Sequence, residues 1–421
     1  MAGEWREARI AEVAEKVAMG PFGSSIKIET FVPSGVPVIS GQHLHGSKVD
    51  DRVGFNFVSE DHADRLKNAN VQRGDVIFTH AGNIGQVAFI PESSHFERYV
   101  ISQRQFYMRC DRTKILPEFV VAYFKTPEGQ HQLLANTSQV GVPSIAQPVT
   151  YLRTIEIPLP PLADQRAIAY ILGTLDDKIA LNRQMNETLE AIARALFKSW
   201  FVDFDPVRAR AEGRDPGLPK SLANRFPARL VDSELGAIPE GWEIGPLDCV
   251  LVLQRGFDLP ATKRISGAYP VLAASGPSGT HNKFMVRGPG VTTGRSGVLG
   301  KVYYVHEDFW PLNTSLWVKE FRHSMPAYAS HLLRGLDFES FNAGSAVPTL
   351  NRNHVHNLPT LLPPMSLIAA FEGVATACLK RQKHIDDQSH TLATLRDTLL
   401  PKLIAGELCI KKAERVFKEG A

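Results

Sequence analysis

Two long stretches of the chain place apolar residues at three- and four-residue steps, one after Pro161 and one after Pro364. This period predicts two helices of heptad character. At about 40 residues and 1.5 Å per residue, each helix would be roughly 60 Å long, more than a compact domain needs. The two series are Ile168, Leu172, Leu175, Ile179, Leu189, Ile192 and Leu196 with polar Asn182 and Asn186, and Leu367, Phe371, Val374, Cys378, Ile385, Leu392, Leu395 and Leu399 with polar Arg381 and Gln388.

Each predicted helix follows the same kind of junction, which indicates an internal repeat. "IPLPPLADQRAIAYIL" starts at Ile157 and "TLLPPMSLIAAFEGVA" at Thr360, so Pro160 and Pro363 lie 203 residues apart. Proline keeps the residue before it extended and suits the first turn of a helix. The double proline therefore predicts where a β-rich segment ends and a long helix begins.

The segments before the two helices consist of short β-rich runs separated by Gly, Pro, Asn and Ser. They share three landmarks: "EWREARI" with "GWEIGPL", residues 82–85 with residues 294–297, and "SQVGVPSI" with "NAGSAVPTL" at 342–350. The chain thus reads as domain, long helix, domain, long helix. We place a first β-rich domain at 1–160, a first long helix at 161–204, a connector at 205–237, a second β-rich domain at 238–362, a second long helix at 363–408 and a C-terminal tail at 409–421.

Two helices of equal length can bury their apolar stripes by pairing antiparallel. We therefore predict an α+β fold with two β-rich domains at opposite ends of a long two-helix antiparallel coiled coil, related as a pseudo-twofold internal repeat. Asn182, Asn186, Arg381 and Gln388 would fix the register of the seam, or mark where it is hydrated. The alternative fold packs each helix only on its own domain.

Composition excludes several classes of protein. The 421 residues carry a formal net charge of only +3, and the four cysteines lie far apart without a C-x-x-C pair. No apolar run approaches the ~20 residues needed to span a bilayer. Two H-x-H pairs, His43 with His45 and His354 with His356, lack a third ligand at a suitable spacing, so we assign no metal site. These features favour a protein of the reducing cytoplasm.

A repeated protein with two similar domains suits a ligand that repeats as well, and duplex DNA returns the same groove face every ~34 to 36 Å. The sequence contains no Asn-Pro-Pro-Phe/Tyr methyltransferase motif and no cofactor glycine fingerprint. "GRSGVLGKV" has the wrong glycine spacing for a phosphate loop. We therefore assign no catalytic residue, and the chain is predicted not to be an enzyme.

The chain resembles the specificity subunit of type I restriction-modification systems. The stretches that carry the resemblance are "GPFGSSIK", "RGDVIFTHAGNIG", "IEIPLPPLADQRAIAYIL", "ALFKSWFVDFDPV", "TTGRSGVLGKV" and "LLPKLIAGEL". The resemblance implies two target-recognition domains that each read one half of a bipartite, asymmetric DNA sequence. It implies docking of two adenine methyltransferase subunits, and of translocase-nuclease subunits in some systems. S-adenosylmethionine, and ATP with Mg for restriction, would be bound by these partners, and this chain would bind no cofactor.

Polar residues in or beside the predicted loops are candidates for DNA contact, because Arg and Lys can pair with guanine, Gln and Asn with adenine, and Ser with phosphate. Solvated loops are the alternative reading. The candidates in the first domain are Ser24, Ser25, Lys27, Gln42, His43, His45, His80, Asn83, Ser102, Gln103 and Arg104. Those in the second are Arg255, Lys263, Arg264, Ser275, His281, Lys283, Arg295, Ser296, Asn313 and Thr314.

Two other functions stay open at this point. A self-sufficient DNA methyltransferase or nuclease would modify or cut DNA without a partner, and a protein-only scaffold would have no salt-dependent affinity for DNA. Trp200 and Phe201 are large apolar residues at the end of the first long helix. We expect them to be buried within the chain, with a partner-docking patch as the alternative.

Overall fold

The computed structural model describes residues 5–138, 141–338, 340 and 348–408. The chain forms two compact units. One unit consists of the residues up to Arg183 together with those from Asp386 onwards, and the other is Gln184–Ile385. The predicted C-terminal tail at 409–421 and most of the repeated stretch 342–350 lie outside the described residues.

The first half of the chain alternates short strands with short helices and ends in a long helix. Its elements are β1 (Arg6–Arg9), α1 (Ile10–Val13), β2 (Ala14–Met19), β3 (Val36–Ile39), β4 (Asn56–Val58), α2 (Glu60–Arg65), β5 (Asn70–Gln72), β6 (Asp75–Thr79), β7 (Val87–Phe89), β8 (Arg98–Ile101), β9 (Gln105–Cys110), α3 (Pro117–Phe124), α4 (Pro127–Leu134), β10 (Thr137–Ser138), β11 (Ser144–Ile145), α5 (Pro148–Thr154), β12 (Glu156–Leu159) and α6 (Leu162–Phe201).

The second half of the chain follows the same plan after a connecting segment. That segment contains α7 (Asp205–Ala211), α8 (Lys220–Ala223) and a hairpin of β13 (Leu230–Ser233) and β14 (Gly236–Pro239). The remaining elements are β15 (Glu243–Pro246), β16 (Leu251–Arg255), β17 (Tyr269–Ala273), β18 (Gly276–His281), β19 (Gly290–Gly294), β20 (Val302–Val305), β21 (Trp310–Pro311), β22 (Ser315–Phe321), α9 (Pro326–Arg334), α10 (Arg352–His356), β23 (Pro359–Leu362) and α11 (Met365–Ile404).

Sheet topology repeats between the two domains. The first domain has an antiparallel sheet of order β2-β9-β6-β7, and the second has one of order β16-β22-β19-β20. Each domain also has a second sheet with one parallel pair, β3 with β8 and β17 with β21. The first strand of each domain pairs with the strand that leads into the long helix, β1 with β12 and β15 with β23. The predicted α+β class and internal repeat are confirmed.

The two long helices pair antiparallel within each unit. In the first unit, Asn182 Nδ2 donates to Gln388 Oε1 and to Ser389 Oγ, both at 3.1 Å. In the second unit, Gln382 Nε2 donates to the carbonyl oxygen of Asn186 at 3.0 Å. Polar residues therefore do occupy the seam, and their hydrogen bonds compensate for their burial.

The predicted helix stripe is confirmed in the second unit at Leu367, Phe371 and Ile385, which are buried, and is wrong at three other positions. Ile192, Val374 and Arg381 are exposed. Ala193 and Ala375, one residue after Ile192 and Val374, are buried instead. The reason is that these segments face the core of the second domain as well as each other, so the buried face is rotated from the one that a two-helix seam alone would select.

Each unit builds one main core from its domain and from parts of both long helices. In the first, Ile168 and Leu175 of α6 join Leu399 of α11 and Phe106 of the sheet. The alternative fold, with each helix packed only on its own domain, is therefore wrong. An ion pair joins the two helices in this unit, since Arg396 on α11 lies 2.8 Å from Asp176 on α6. Asp176 also accepts a hydrogen bond from Ser47 of the domain.

Trp200 and Phe201 are buried in the core of the second unit, which confirms that prediction. Trp200 packs edge-on against Phe226, and Phe201 contacts Trp242 and Phe371. Arg334 at the end of α9 pairs with Glu190 of α6 at 2.5 Å. Aromatic packing and this ion pair together attach the second domain to the helices.

His331 on α9 is a buried histidine in the same core. It is 4% exposed, its ring stacks on Phe197, and its Nε2 has no hydrogen-bond partner among the described residues. Burial lowers the pKa of His331 to about 4, and the nearby Arg334 acts in the same direction while Glu190 opposes it. The folded unit therefore holds this imidazole neutral.

We predict that the second unit loses stability as the pH falls from 6.5 towards 4. In this window the unfolded chain binds a proton at His331 that the folded unit does not, so folding becomes less favourable by on the order of 2 kcal/mol. His331→Phe should reduce this dependence, and His356, whose pKa is also lowered by burial, should account for part of what remains. The measurement is urea unfolding at several pH values followed by tryptophan fluorescence, since Trp200, Trp242, Trp310 and Trp317 all belong to this unit. The control is His354→Gln, because His354 is exposed, and a wild-type midpoint that stays constant across the window would contradict the prediction.

Candidate nucleic-acid interface

In the first domain, three loops leave the antiparallel sheet at the same end. β2 ends at Met19 and β6 ends at Thr79, while β9 begins at Gln105. The register pairs Met19 with Phe106 and Thr79 with Gln105. The loops after β2, after β6 and before β9 therefore start side by side, and we call residues 19–20, 79–80 and 104–105 the first sheet end.

The second domain has the same arrangement. β16 ends at Arg255 and β19 at Gly294, while β22 begins at Ser315. Arg255 pairs with Leu316 and Gly294 with Ser315. Residues 255–256, 294–295 and 314–315 form the second sheet end.

Equivalent backbone hydrogen bonds identify which residues of the first domain correspond to which residues of the second. The amide of His80 donates to the carbonyl oxygen of Arg104 at 2.9 Å, and the amide of Arg295 donates to that of Thr314 at 2.8 Å. The carbonyl oxygens of His80 and Arg295 in turn accept from Ile145 at 2.8 Å and from Leu350 at 2.9 Å. His80 thus corresponds to Arg295, and Arg104 to Thr314.

The glycine motifs of the two domains align differently in the structure than in the sequence, where residues 82–85 were matched with residues 294–297. The amides of Gly82 and Gly297 donate to the carbonyl oxygens of Pro143 and Pro348 at 3.1 and 2.9 Å. Both glycines have positive φ angles, 84° and 89°. Gly82 therefore matches Gly297, a shift of three residues. Glycine spacing repeats within each loop, so it does not fix the alignment.

Gly20 and Gly256 let neighbouring backbone approach closely at the two sheet ends. A Cβ on Gly20 would lie 2.2 Å from the carbonyl oxygen of Ser102, and one on Gly256 would lie 2.2 Å from that of Leu312. Their amides donate to the carbonyl oxygens of Gln105 and Ser315. Only glycine fits such contacts without displacing backbone.

A cavity of about 280 Å³ opens beside the first sheet end. Five predicted contact residues line it, together with the apolar Phe31 and Val38. Gln42 is held in place by a hydrogen bond from its Nε2 to the carbonyl oxygen of Gly54, at 3.1 Å. The five predicted residues are Lys27, Gln42, Ser102, Gln103 and Arg104.

The other candidates of the first domain lie around this cavity or away from it. Ser24 and Ser25 form a turn that is tied down where His62 Nε2 hydrogen-bonds to the Ser25 carbonyl oxygen at 2.8 Å. Asn83 is exposed in the loop after β6, and His45 is exposed after β3. His80 Nε2 lies 3.1 Å from the carbonyl oxygen of Gln103, and partial burial lowers its pKa.

His43 is a candidate that the structure contradicts. Its side chain is 1% exposed and stacks on Phe55 with ring centroids 4.2 Å apart. The backbone amide of Ser40 donates to its Nδ1 at 3.0 Å. Burial lowers its pKa, so the ring is neutral at pH 7 and acts as a structural aromatic.

The second sheet end brings five candidates together. Arg295 and Ser296 follow β19, Asn313 and Thr314 precede β22, and Arg255 ends β16. Asn313 donates a hydrogen bond to the carboxylate of Asp258, and Arg255 lies 3.9 Å from the same group. Sequence reasoning missed Asp258, which orients these two side chains.

The remaining candidates of the second domain divide into exposed and structural residues. Ser275, Lys263 and Lys283 are exposed. Arg264 is half-buried, and its Nη1 donates to the carbonyl oxygen of Ser278 at 2.6 Å. His281 is corrected to a structural role. The buried His281 accepts at Nδ1 from the amide of Ile265 at 3.1 Å.

Two exposed apolar residues near the first sheet end were not predicted. Phe22 is 86% and Ile28 is 84% exposed, and both belong to the loop that carries Lys27. Exposed apolar side chains next to polar ones are typical of binding surfaces. The available signal was the apolar Phe in "GPFGSSIK", which is not needed to form the turn.

The amino-acid sequence of this chain is similar to those of known proteins. Residues 2–191 match the family model of the type I restriction modification DNA specificity domain. The type I restriction enzyme HindI specificity subunit of Haemophilus influenzae is 23% identical, over 96% of this chain and 100% of that protein. The MjaIX specificity subunit of Methanocaldococcus jannaschii is 21% identical, over 97% of this chain and 94% of that protein.

Over nearly its whole length this chain is similar to type I restriction enzyme specificity subunits. The resemblance predicted from the sequence is confirmed. A crystal structure of a type I restriction-modification S subunit from M. genitalium has the same fold, with a TM-score of 0.64 at 14% identity over 95% of this chain and 96% of that one. Among the described residues, no helix is long and apolar enough to cross a membrane.

We predict that Gly20→Ala disrupts the first sheet end. The added methyl group would collide with the Ser102 and Gln105 carbonyl oxygens, at a cost of about 1–3 kcal/mol. Thermal unfolding and amide exchange of β2 and β9 should both register the loss. Gly54→Ala is the matched control because its Cβ would meet nothing within 4 Å. Equal stability of the two variants would contradict the assigned role of Gly20.

Proposed function

We propose that this chain is the non-catalytic, sequence-specific DNA-recognition subunit of a type I restriction-modification complex. In this proposal each domain reads one half of a bipartite, asymmetric target. Two adenine methyltransferase subunits dock on the chain, and translocase-nuclease subunits can join them. The partners supply S-adenosylmethionine, and ATP with Mg for restriction.

One observation carries the proposal: the same backbone arrangement occurs at both sheet ends, but it carries different side chains. His80 and Arg104 in the first domain stand where Arg295 and Thr314 stand in the second. Hydrogen-bond donors and acceptors at the edges of bases specify sequence. Equal scaffolds with unequal side chains therefore support two readers of different half-sites.

Local charge supports DNA as the ligand although the net charge is only +3. The first sheet end and its cavity present Lys27 and Arg104, and the second presents Arg255 and Arg295. Cationic side chains can position DNA through its phosphates, while Gln103 and Asn313 can contact base edges. The cations lie where the loops leave the sheets, so they can reach a groove without rearrangement of the cores.

We predict that the chain with its methyltransferase partner methylates adenine within one bipartite sequence, and that neither protein does so alone. Binding of the complex should weaken roughly 10³- to 10⁵-fold between 50 and 200 mM salt if 6–10 phosphates are contacted. Methylation by the purified chain alone would instead indicate a self-sufficient enzyme. Salt-independent or absent DNA binding by the complex would indicate a scaffold.

The length of the paired helices is proposed to set the gap between half-sites. Inserting one heptad after Arg183 in α6 and another after Ile385 in α11 adds about 10.5 Å to each helix, which is the length of about three base pairs. We expect the methylated motif to gain about three unread positions with unchanged half-sites. An insertion in α6 alone is the control. The Asn182–Gln388 and Gln382–Asn186 hydrogen bonds can then no longer form in one register, and modification should be abolished. Altered bases within a half-site would contradict the proposal.

A further inference from the structure

The backbone-paired residues at the two sheet ends each include one arginine, but on opposite members of the pair. In the first domain the arginine is Arg104, before β9, and its partner is His80. In the second domain it is Arg295, after β19, and its partner is Thr314. The two arginines therefore do not correspond residue by residue, and only the hydrogen-bonded pairs show that each sheet end carries one of them.

Both guanidinium groups lack a partner among the described residues. Within the described parts of the chain, neither side chain forms an ion pair or donates a hydrogen bond. Two arginines at the other end of the same sheet are paired instead, since Arg109 binds Asp75 at 2.7 Å and Arg112 binds Glu92 at 2.7 Å. A guanidinium group that is not paired with a carboxylate of its own chain can bind a phosphate or the edge of a base.

The surroundings of the two side chains leave room for a base edge. The Arg104 guanidinium lies against Gly82, where a Cβ would come within 3.3 Å of Nη1, and it borders the cavity. Arg295 follows Gly294, and a Cβ on nearby Gly297 would meet nothing within 4 Å. A side chain at Gly82 would narrow the space beside the Arg104 guanidinium.

We propose that Arg104 and Arg295 are equivalent specificity-determining residues, each reading one guanine in its own half-site. This inference rests on the proposed DNA-recognition function. Arginine is the residue best suited to pair with the O6 and N7 atoms of guanine through two parallel hydrogen bonds. A lysine keeps the charge for phosphate but loses this geometry.

The test uses the full chain co-expressed with its methyltransferase partner in a host without adenine modification, with methylated sites mapped by sequencing. Arg104→Lys should relax one guanine position in one half-site, and Arg295→Lys should relax one guanine position in the other. Loss of a two-bond contact of about 1–3 kcal/mol corresponds to roughly 5- to 150-fold weaker discrimination at that position. All other positions should stay unchanged.

Matched controls come from the opposite ends of the same sheets. Arg112 follows β9 and is paired with Glu92, and Arg322 follows β22 and is paired with Glu320. Arg112→Lys and Arg322→Lys should leave the motif unchanged. Thermal unfolding of each variant identifies any that is misfolded.

An exchange variant tests the equivalence itself. His80→Arg combined with Arg104→Thr reproduces the arrangement of the second domain and should recover guanine discrimination that Arg104→Thr alone loses. A double variant as relaxed as the single one would overturn the equivalence. A wild-type half-site without guanine, an unchanged motif in the lysine variants, or equal loss at every position would overturn the assignment to guanine. Failure of the underlying function looks different, because then the wild-type complex itself produces no sequence-specific methylation.

Discussion

Antiparallel pairing at one end of a four-stranded sheet is the constraint on which both candidate reading surfaces depend. The amide after the central strand donates to the carbonyl group just before its neighbour, from His80 to Arg104 and from Arg295 to Thr314. Gly20 and Gly256 lie so close to neighbouring backbone carbonyl groups that a side chain on either residue would collide with them. Because these bonds involve only backbone, the side chains can differ between domains without changing the scaffold.

The long helices contribute more than length. Each unit includes part of α6 and part of α11 in its core, so the sheet and the helix pair within a unit are packed as one body. Two ion pairs also hold α6 in place: Asp176 with Arg396 of α11, and Glu190 with Arg334 of α9. A reading loop on such a support has little freedom to shift relative to its own helix pair, and rigid support of this kind favours precise recognition.

Sequence reasoning identified the architecture well and the individual contact residues less well. The heptad period, the double prolines and the repeated landmarks led to two β-rich domains and two paired long helices. The same patterns placed Ile192 and Val374 in a buried stripe, and they suggested the buried His43 and His281 as ligand contacts. Ile192 and Val374 follow the expected spacing, but a helix that packs on two surfaces buries a wider or rotated face. Polar residues beside loops can equally serve to satisfy buried backbone groups.

Local sequence patterns were enough to predict the helix period, the residues at which each domain ends and a long helix begins, and the family that the chain resembles. These follow from local rules, since proline restricts its neighbours and apolar spacing reflects 3.6 residues per turn. Three-dimensional contacts were needed to show that His80 is the counterpart of Arg295, that Arg104 is the counterpart of Thr314, and which polar side chains of the described residues are unpaired. Hydrogen bonds between strands distant in sequence set these correspondences, and no local pattern of residues encodes which backbone groups will meet.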